Sequence, residues 1–377
     1  MTECASDTPP ATRGRITANT LLAALSVVLS LVVGEVALRL ITPAWGRQPA
    51  SPQWPQGLLA PHPTRGYTYS PKVVRVIATS EYRISVSTNS LGLRDREIRL
   101  AESVDILAAG DSFTAGYGID AIDSWPKQLE SELNAPGLRR TDVRVLNAGV
   151  SGYSVAQIRL TIEEFLSLHP RVVVLGLYPS RAWRLQDPYV YYMGQAVLRS
   201  SLPHLRPKGD GSFVYSEIDA AGLRSVHLWM IEHFQIGARL LSGIRTLGTR
   251  FERPKATSTE AEQQPLLEEL SRAYWSCRRA NVALVVLLVN HQEKDGTFHS
   301  EEKRRNFIVK RFCEQAGITV VDPIPTFEQN SQGRPIFRIG QDYHWSSAAH
   351  RLVAGLLTDS LESLLVDAQD SGLRQTR

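Results

Sequence analysis

The sequence predicts an α/β fold: a three-layer α/β/α sandwich around a parallel five-stranded sheet, preceded by one N-terminal transmembrane helix. Three observations carry this expectation. Five short runs rich in β-branched and aliphatic residues recur along the chain, at Val104 to Ala109, Val143 to Ala148, Arg171 to Leu177, Val282 to Val289 and Ile318 to Val321. Segments with a helical period follow each of them, at Ser124 to Leu133, Ser154 to Leu168, Pro265 to Ala280, Glu301 to Ala316 and Ser346 to Leu365. Near the amino terminus, Ile16 to Gly34 is almost unbroken in apolar and small residues.

Each element has a physical reason. Parallel strands are covered on both faces, so they read as continuous apolar runs rather than as an alternation. Joining one to the next needs a crossover, and the intervening helices supply it. The first strand ends in Gly110-Asp111-Ser112-Phe113-Thr114-Ala115-Gly116, which reads as a strand-to-helix turn at the carboxyl edge of the sheet. Ahead of the sheet, Val73 to Thr79 and Tyr82 to Thr88 carry the alternation of a hairpin.

The stretch from Ile16 to Ile41 is long enough to cross a bilayer, and no small-x-small cleavage site follows it, which favours an uncleaved anchor over a signal peptide. Glu35 within it is offset by Arg39 at the i, i+4 spacing or by a place at the interface. The expected organisation is a tail at 1–15, a transmembrane anchor at 16–41, and a linker and β-hairpin at 42–88. A main domain at 89–377 then contains a long insertion at about 180–259, with Tyr189, Tyr191 and Tyr192 and a helix-like Ala221 to Leu247. The short tail favours a single-pass protein of the plasma (inner) membrane with the large domain extracytoplasmic.

With 377 residues, 43% of them hydrophobic, the chain can bury one large core. Its 42 basic and 38 acidic residues leave a net charge of +4, too small and dispersed for a nucleic-acid partner. The densest basic cluster, Lys303-Arg304-Arg305, directly follows Glu301-Glu302 and reads as a solvated helix face. Cys277 and Cys313 show no metal or redox spacing, and their apolar surroundings favour buried free thiols over a bridge. No metal or organic cofactor is implied.

The chemistry resides in Ser112 and in Asp342-Tyr343-His344-Trp345 far downstream. A hydroxyl is too weak an acid to attack a carbonyl unaided; it needs an imidazole to take its proton and a carboxylate to fix the imidazole tautomer. Ser112, His344 and Asp342 can fill those roles. Against this, Ser112 alone would read as a helix cap and His344 alone as a turn histidine. Asp111 and Asn147 read as braces of their loops, His350 as packing or surface, and Tyr178 and Trp183 equally as core or cleft.

Three sequence blocks, Gly110 to Gly116, Asn147-Ala148-Gly149-Val150-Ser151-Gly152 and Asp342 to Trp345, resemble those of the SGNH branch of the GDSL hydrolases, in the order this family has them. The resemblance runs from about Asn89 to the carboxyl terminus, and Asn89 to Asp95 is similar to the lead-in of membrane-anchored bacterial members. It implies a flavodoxin-like SGNH hydrolase fold, Ser112 as nucleophile, His344 as base and Asp342 as its orienter. Backbone N–H groups of Ser112 and Gly152 would hold the oxyanion.

Two departures accompany the resemblance. Where the third block has an Asn, this chain reads Tyr178-Pro179-Ser180-Arg181, which puts Ser180 in the oxyanion position with Arg181 as an electrostatic stand-in. Where the family commonly reads Asp-x-x-His, one Tyr separates Asp342 from His344, and this Asp-x-His-Trp block resembles that of polysaccharide O-acetylation proteins. The implied activity is a membrane-anchored serine esterase removing short acyl groups, such as acetyl, from a carbohydrate or another small ester through an acyl-enzyme. An O-acyltransferase of extracellular polysaccharide is a close variant. The missing Asn leaves open a catalytically impaired binding module among polysaccharide-assembly partners.

Overall fold

The computed structural model describes residues 11–41, 55, 57–98, 103–136, 142–185, 189–192, 195–198, 259–340 and 342–374. The chain divides into two units, Met1–Pro49 with Ile218–Lys255, and Ala50–Glu217 with Ala256–Arg377. The start of the expected tail, residues 42–54 of the expected linker, the helix-like Ala221 to Leu247 and most of the long insertion lie outside the described residues, as do the side chains of Arg39 and Trp183.

In the first unit, helix α1 spans Ala11–Ile41. Its segment Ala18–Leu38 is 21 residues long with a mean hydropathy of 2.4. At 1.5 Å per residue it measures about 31 Å, the thickness of a bilayer's hydrocarbon core. Leu21, Leu22, Leu25 and Leu29 on it are exposed, whereas Glu35 is buried.

In the second unit the chain runs through two hairpins before reaching the sheet. Strands β1 (Leu59–His62) and β2 (Gly66–Tyr69) pair antiparallel, as do β3 (Val74–Ala78) and β4 (Arg83–Ser87). The second is the hairpin read from the alternation; the first lies in the Pro- and Gly-rich stretch read as part of the linker. It folds because Tyr67 and Tyr69 are buried and their hydroxyls reach Ser151, at its carbonyl (2.7 Å) and its hydroxyl (2.8 Å).

The five sheet strands are β5 (Ile106–Ala109), β6 (Val145–Asn147), β7 (Val172–Leu177), β10 (Ala283–Leu288) and β11 (Thr319–Val321). A separate antiparallel pair, β8 (Tyr189–Tyr192) and β9 (Gln195–Leu198), holds the aromatic cluster of the insertion. The sheet order is β11-β10-β7-β5-β6 and every neighbouring pair is parallel. From β5 the chain steps outward to β6 and then back across to β7, so the order reverses beside β5. Open α/β sheets bind ligands at such a switch point, outside the carboxyl ends of the strands.

Helices α2 (Ser112–Ala115), α3 (Trp125–Leu133), α4 (Val155–Phe165), α5 (Thr259–Arg279), α6 (Ser300–Ala316), α7 (Ile324–Ser331) and α8 (Ser347–Arg374) complete the fold. Alternate strand residues divide between two cores, which makes the three layers explicit. Leu107, Val173, Leu175 and Val286 pack with Ile158 and Ile162 of α4, Leu266 and Leu270 of α5, and Val309 of α6. Ile106, Val172, Val174 and Leu287 pack with Leu129 of α3, Phe327 of α7 and Val353 and Leu357 of α8. Fully burying such a side chain is worth about 1.5–3 kcal/mol, so the two layers supply most of the driving force.

Local signals set the helix ends. Ser154 and Gln157 form a reciprocal capping box at the start of α4, and Gly317, at φ 67°, ends α6. Helix α5 starts before the expected Pro265, which it carries inside its second turn. Cys277 and Cys313 are buried free thiols, with burial pushing both up to about 12.

His350 on α8 is a packing histidine with one duty: its Nδ1 accepts the backbone N–H of Trp125 (3.1 Å) at the start of α3. Burial, followed by the charges of His344 and Arg94, lowers its pKa to about 3. Between that value and about 6.5 the unfolded chain binds a proton that the folded chain refuses. Stability therefore rises with pH across this window and falls on acidification, by up to about 1.4 kcal/mol per pH unit from this group. His350→Asn, whose carbonyl can still accept the Trp125 N–H, is expected to flatten the slope of unfolding free energy between pH 6 and 4 in denaturant titrations. Equal slopes in the two proteins would contradict this role.

Candidate active site

Ser112 opens α2, a single helical turn directly after β5. Asp111 caps that turn by accepting the Phe113 N–H at its carboxylate (3.0 Å), and burial raises its pKa. The sequence reading of Asp111 as a brace matches this geometry. One turn cannot hold itself, because helix nucleation is unfavourable, so its neighbours must fix it.

Glycines let those neighbours come close. A Cβ on Gly149 would lie 2.3 Å from the Ala115 amide nitrogen, and one on Gly110 or Gly176 would lie 2.0 or 2.5 Å from the Thr114 hydroxyl. At the far end of α2, the buried Arg94 guanidinium donates to the carbonyls of Ala115 (2.9 Å), Gly116 and Ile119 (2.7 Å). This closes the orphan carbonyls of the turn. Asp95, next in sequence, accepts from Arg144 (2.9 Å), Lys127 (3.1 Å) and the Asn147 backbone N–H (2.7 Å). Asn147 then takes the Gly149 N–H on its side-chain carbonyl (3.0 Å). The lead-in motif thus ties the Ser112 turn to the second-block loop.

His344 meets Ser112 from the segment before α8. Its Nε2 lies 2.8 Å from the Ser112 hydroxyl and its Nδ1 lies 2.6 Å from Asp342 Oδ1. The same carboxylate oxygen accepts the His344 backbone N–H (3.0 Å). An aspartate naturally takes the N–H two residues on, so the single-residue spacer lets Asp342 hold both backbone and ring of His344. Burial pushes the Asp342 carboxyl up, but the hydrogen bond and charge of His344 outweigh it and hold the carboxyl below the usual aspartate range. The imidazole is enclosed by the rings of Phe113 (4.9 Å), Tyr117 (4.5 Å) and Tyr343 (4.6 Å).

The carboxylate limb has further support that the sequence reading missed. The turn between β3 and β4 reaches the triad: Glu81 accepts the Asp342 backbone N–H (3.1 Å), and the Tyr82 hydroxyl donates to Asp342 Oδ2 (3.5 Å). Gly340, at a positive φ (42°) that glycine adopts freely, has no Cβ and so leaves room for the Glu81 carboxylate, which a Cβ there would strike at 2.4 Å.

A pocket of about 20 Å³ lies over Ser112, lined also by Gly152, Tyr178, Arg181, Arg184 and Tyr343 among others. Gly152, at φ 84°, is among its lining residues. The third-block turn contributes Arg181 rather than Ser180. The Arg181 guanidinium sits over the rings of Tyr178 (5.5 Å) and Tyr343 (5.3 Å), while the Ser180 hydroxyl is engaged by Glu302 (3.3 Å).

The physical reason is Glu302 itself. Expected on a solvated face, it is buried and gathers donors, taking Tyr178 (3.3 Å), Ser180 and His291 (3.1 Å) on one oxygen. Burial pulls His291 down, but Glu302 and Glu293 outweigh it and raise its pKa. Tyr178 belongs to core and cleft at once, packed on Phe113 (5.5 Å) and lining the pocket. No group of His, Cys, Asp or Glu suited to a metal ion occurs among the described residues.

No protein-family model matches the sequence, and no curated protein matches it. Among solved structures the chain is similar to TesA, with 16% identity, a TM-score of 0.40, and coverage of 69% of this chain and 98% of that one. It is also similar to the acetyl xylan esterase AlAXEase, with 12% identity, a TM-score of 0.39, and coverage of 68% and 98%. A third is a putative lipolytic protein of the G-D-S-L family from Desulfitobacterium hafniense DCB-2, with 12% identity, a TM-score of 0.39, and coverage of 67% and 97%.

If Glu81 holds the carboxylate limb, Glu81→Ala is expected to lower kcat for a small ester about tenfold with little change in KM, while Glu81→Gln, which keeps an acceptor, retains most of the rate. A uniform loss in both variants would assign Glu81 a general folding role instead.

Proposed function

We propose that this protein is a membrane-anchored serine esterase that removes short acyl groups, acetyl above all, through an acyl-enzyme. The observation that carries the reading is the continuous Ser112–His344–Asp342 hydrogen-bond chain, 2.8 and 2.6 Å long, at the switch point of the sheet. In the proposed reaction His344 takes the Ser112 proton as the hydroxyl attacks the ester carbonyl, then returns it to the leaving alcohol. Asp342 stabilises the imidazolium that forms between the two steps. Backbone N–H groups of Ser112 and Gly152 hold the oxyanion, and Arg181 replaces the expected third-block donor with positive charge. One such donor is worth roughly a hundredfold to a thousandfold in rate.

The pocket supports a short acyl group, because about 20 Å³ is little more than the roughly 10–15 Å³ that one water needs. Water or a sugar hydroxyl can resolve the same acyl-enzyme, so hydrolase and O-acyltransferase share this chemistry. Helix α1 is the proposed anchor of a single-pass protein of the plasma membrane, with the esterase domain extracytoplasmic.

The full-length protein in detergent is expected to hydrolyse p-nitrophenyl acetate, with Ser112→Ala reducing kcat by about a thousandfold or more, in line with the loss of a triad member. Labelling by a fluorophosphonate should likewise vanish in Ser112→Ala. Equal hydrolysis by the two proteins would sink the esterase reading and leave the binding module.

A further inference from the structure

The pocket over Ser112, at about 20 Å³, has room for little beyond a short acyl group, so the alcohol part of an ester needs space elsewhere. Beside it is a much larger cavity of about 580 Å³, formed by the loop between β10 and α6 together with Arg338 and Tyr343. Tyr343 lines both spaces, and it separates Asp342 from His344 in sequence. A molecule in the larger cavity is therefore in contact with the residue stacked on the catalytic imidazole.

The lining describes the ligand. Two acids, Glu293 and Asp295, stand against two bases, Lys294 and Arg338. Several of these groups already have partners: Glu293 is shared by His291 (2.9 Å) and His299 (3.8 Å), Asp295 takes the Thr297 hydroxyl (2.7 Å), and Arg338 donates to the carbonyls of Gln292 (2.9 Å) and Gly340 (3.1 Å). The two acids offset the two bases, and with His291 and His299 the wall offers hydrogen-bond donors and acceptors without a block of one sign. The rings of Tyr343 and Phe298 add flat apolar surface, the complement of a C–H face. At 580 Å³ the cavity falls in the size range of small-molecule sites.

We propose that this cavity binds the alcohol moiety of the substrate, an uncharged polyhydroxylated chain such as a neutral oligosaccharide, with Tyr343 marking its junction with the acyl pocket. The proposal deepens the esterase reading and rests on it for the direction of the chain toward Ser112. Binding itself can be measured without turnover.

Calorimetric titration of full-length Ser112→Ala in detergent with xylotetraose, a neutral probe, is expected to show saturable binding. Thr297→Trp, which fills the cavity, and His299→Ala, which removes an exposed donor from its wall, should each weaken it about tenfold while keeping the parent's melting curve. Tetragalacturonate, an anionic probe of equal length, should bind more weakly. Absence of saturable xylotetraose binding, affinity unaltered in both variants, or tighter binding of the uronate would overturn the proposal. Failure of the esterase reading shows separately, as a wild-type protein with no rate on p-nitrophenyl acetate but with xylotetraose binding that both variants weaken.

Discussion

The whole site depends on how closely backbone can approach a single turn of helix. Residues 112 to 115 are too few to be stable as a helix, and Ser112 gains its position from what presses on that turn. Gly149 meets it at the Ala115 amide, and Gly110 and Gly176 meet it at the Thr114 hydroxyl. Each glycine lies at the carboxyl end of a different strand among β5, β6 and β7 or in the loop that follows it. A methyl group at any of these positions would push two loops apart and move the serine away from its imidazole. Positions where a Cβ is forbidden therefore define the site as firmly as the reactive side chains do.

Charge does the corresponding work from outside. Arg94 and Asp95 are adjacent in sequence yet act on different elements, one closing the carbonyl end of α2, the other joining Arg144, Lys127 and the β6 backbone. Asp95 and Arg144 are almost completely removed from solvent. Breaking such a pair by removing one partner typically costs about 3–5 kcal/mol, because a buried charge is left without compensation. The carboxylate limb is treated in the same spirit, with Glu81 on the Asp342 backbone and Tyr82 on its side chain. Both ends of the triad are held by residues that contribute no chemistry.

The layers, the place of Ser112 at the carboxyl edge of the sheet and the Asp342–His344 contact were legible in the sequence because each rests on local pattern. Apolar runs four to eight residues long, alternating with helical segments, read as buried strands in this context, and Asp-Tyr-His brings carboxylate and imidazole together through one Asx-type turn. What escaped depends on partners distant in sequence. The β1–β2 hairpin looked like linker because Tyr67 and Tyr69 find their hydrogen bonds at Ser151. Glu302 looked solvated among Glu301, Lys303 and Arg304, and only the fold shows Tyr178, Ser180 and His291 converging on it. With Glu302 unseen, Ser180 was the natural choice for a place beside Ser112, whereas Arg181 lines the pocket there.

The reach of the β3–β4 turn to Asp342 also bears on where this protein can be cut. The recognisable motifs begin at Asn89, and a fragment starting there would keep every residue of the triad. It would lose Glu81 and Tyr82 from the acid limb, and Tyr67 and Tyr69 from beneath the Gly152 loop. The hairpins thus belong to the unit that holds the Ser112–His344–Asp342 site rather than to a tether. An excised domain that preserves this geometry has to begin upstream of Leu58, the first buried residue among those described in the second unit.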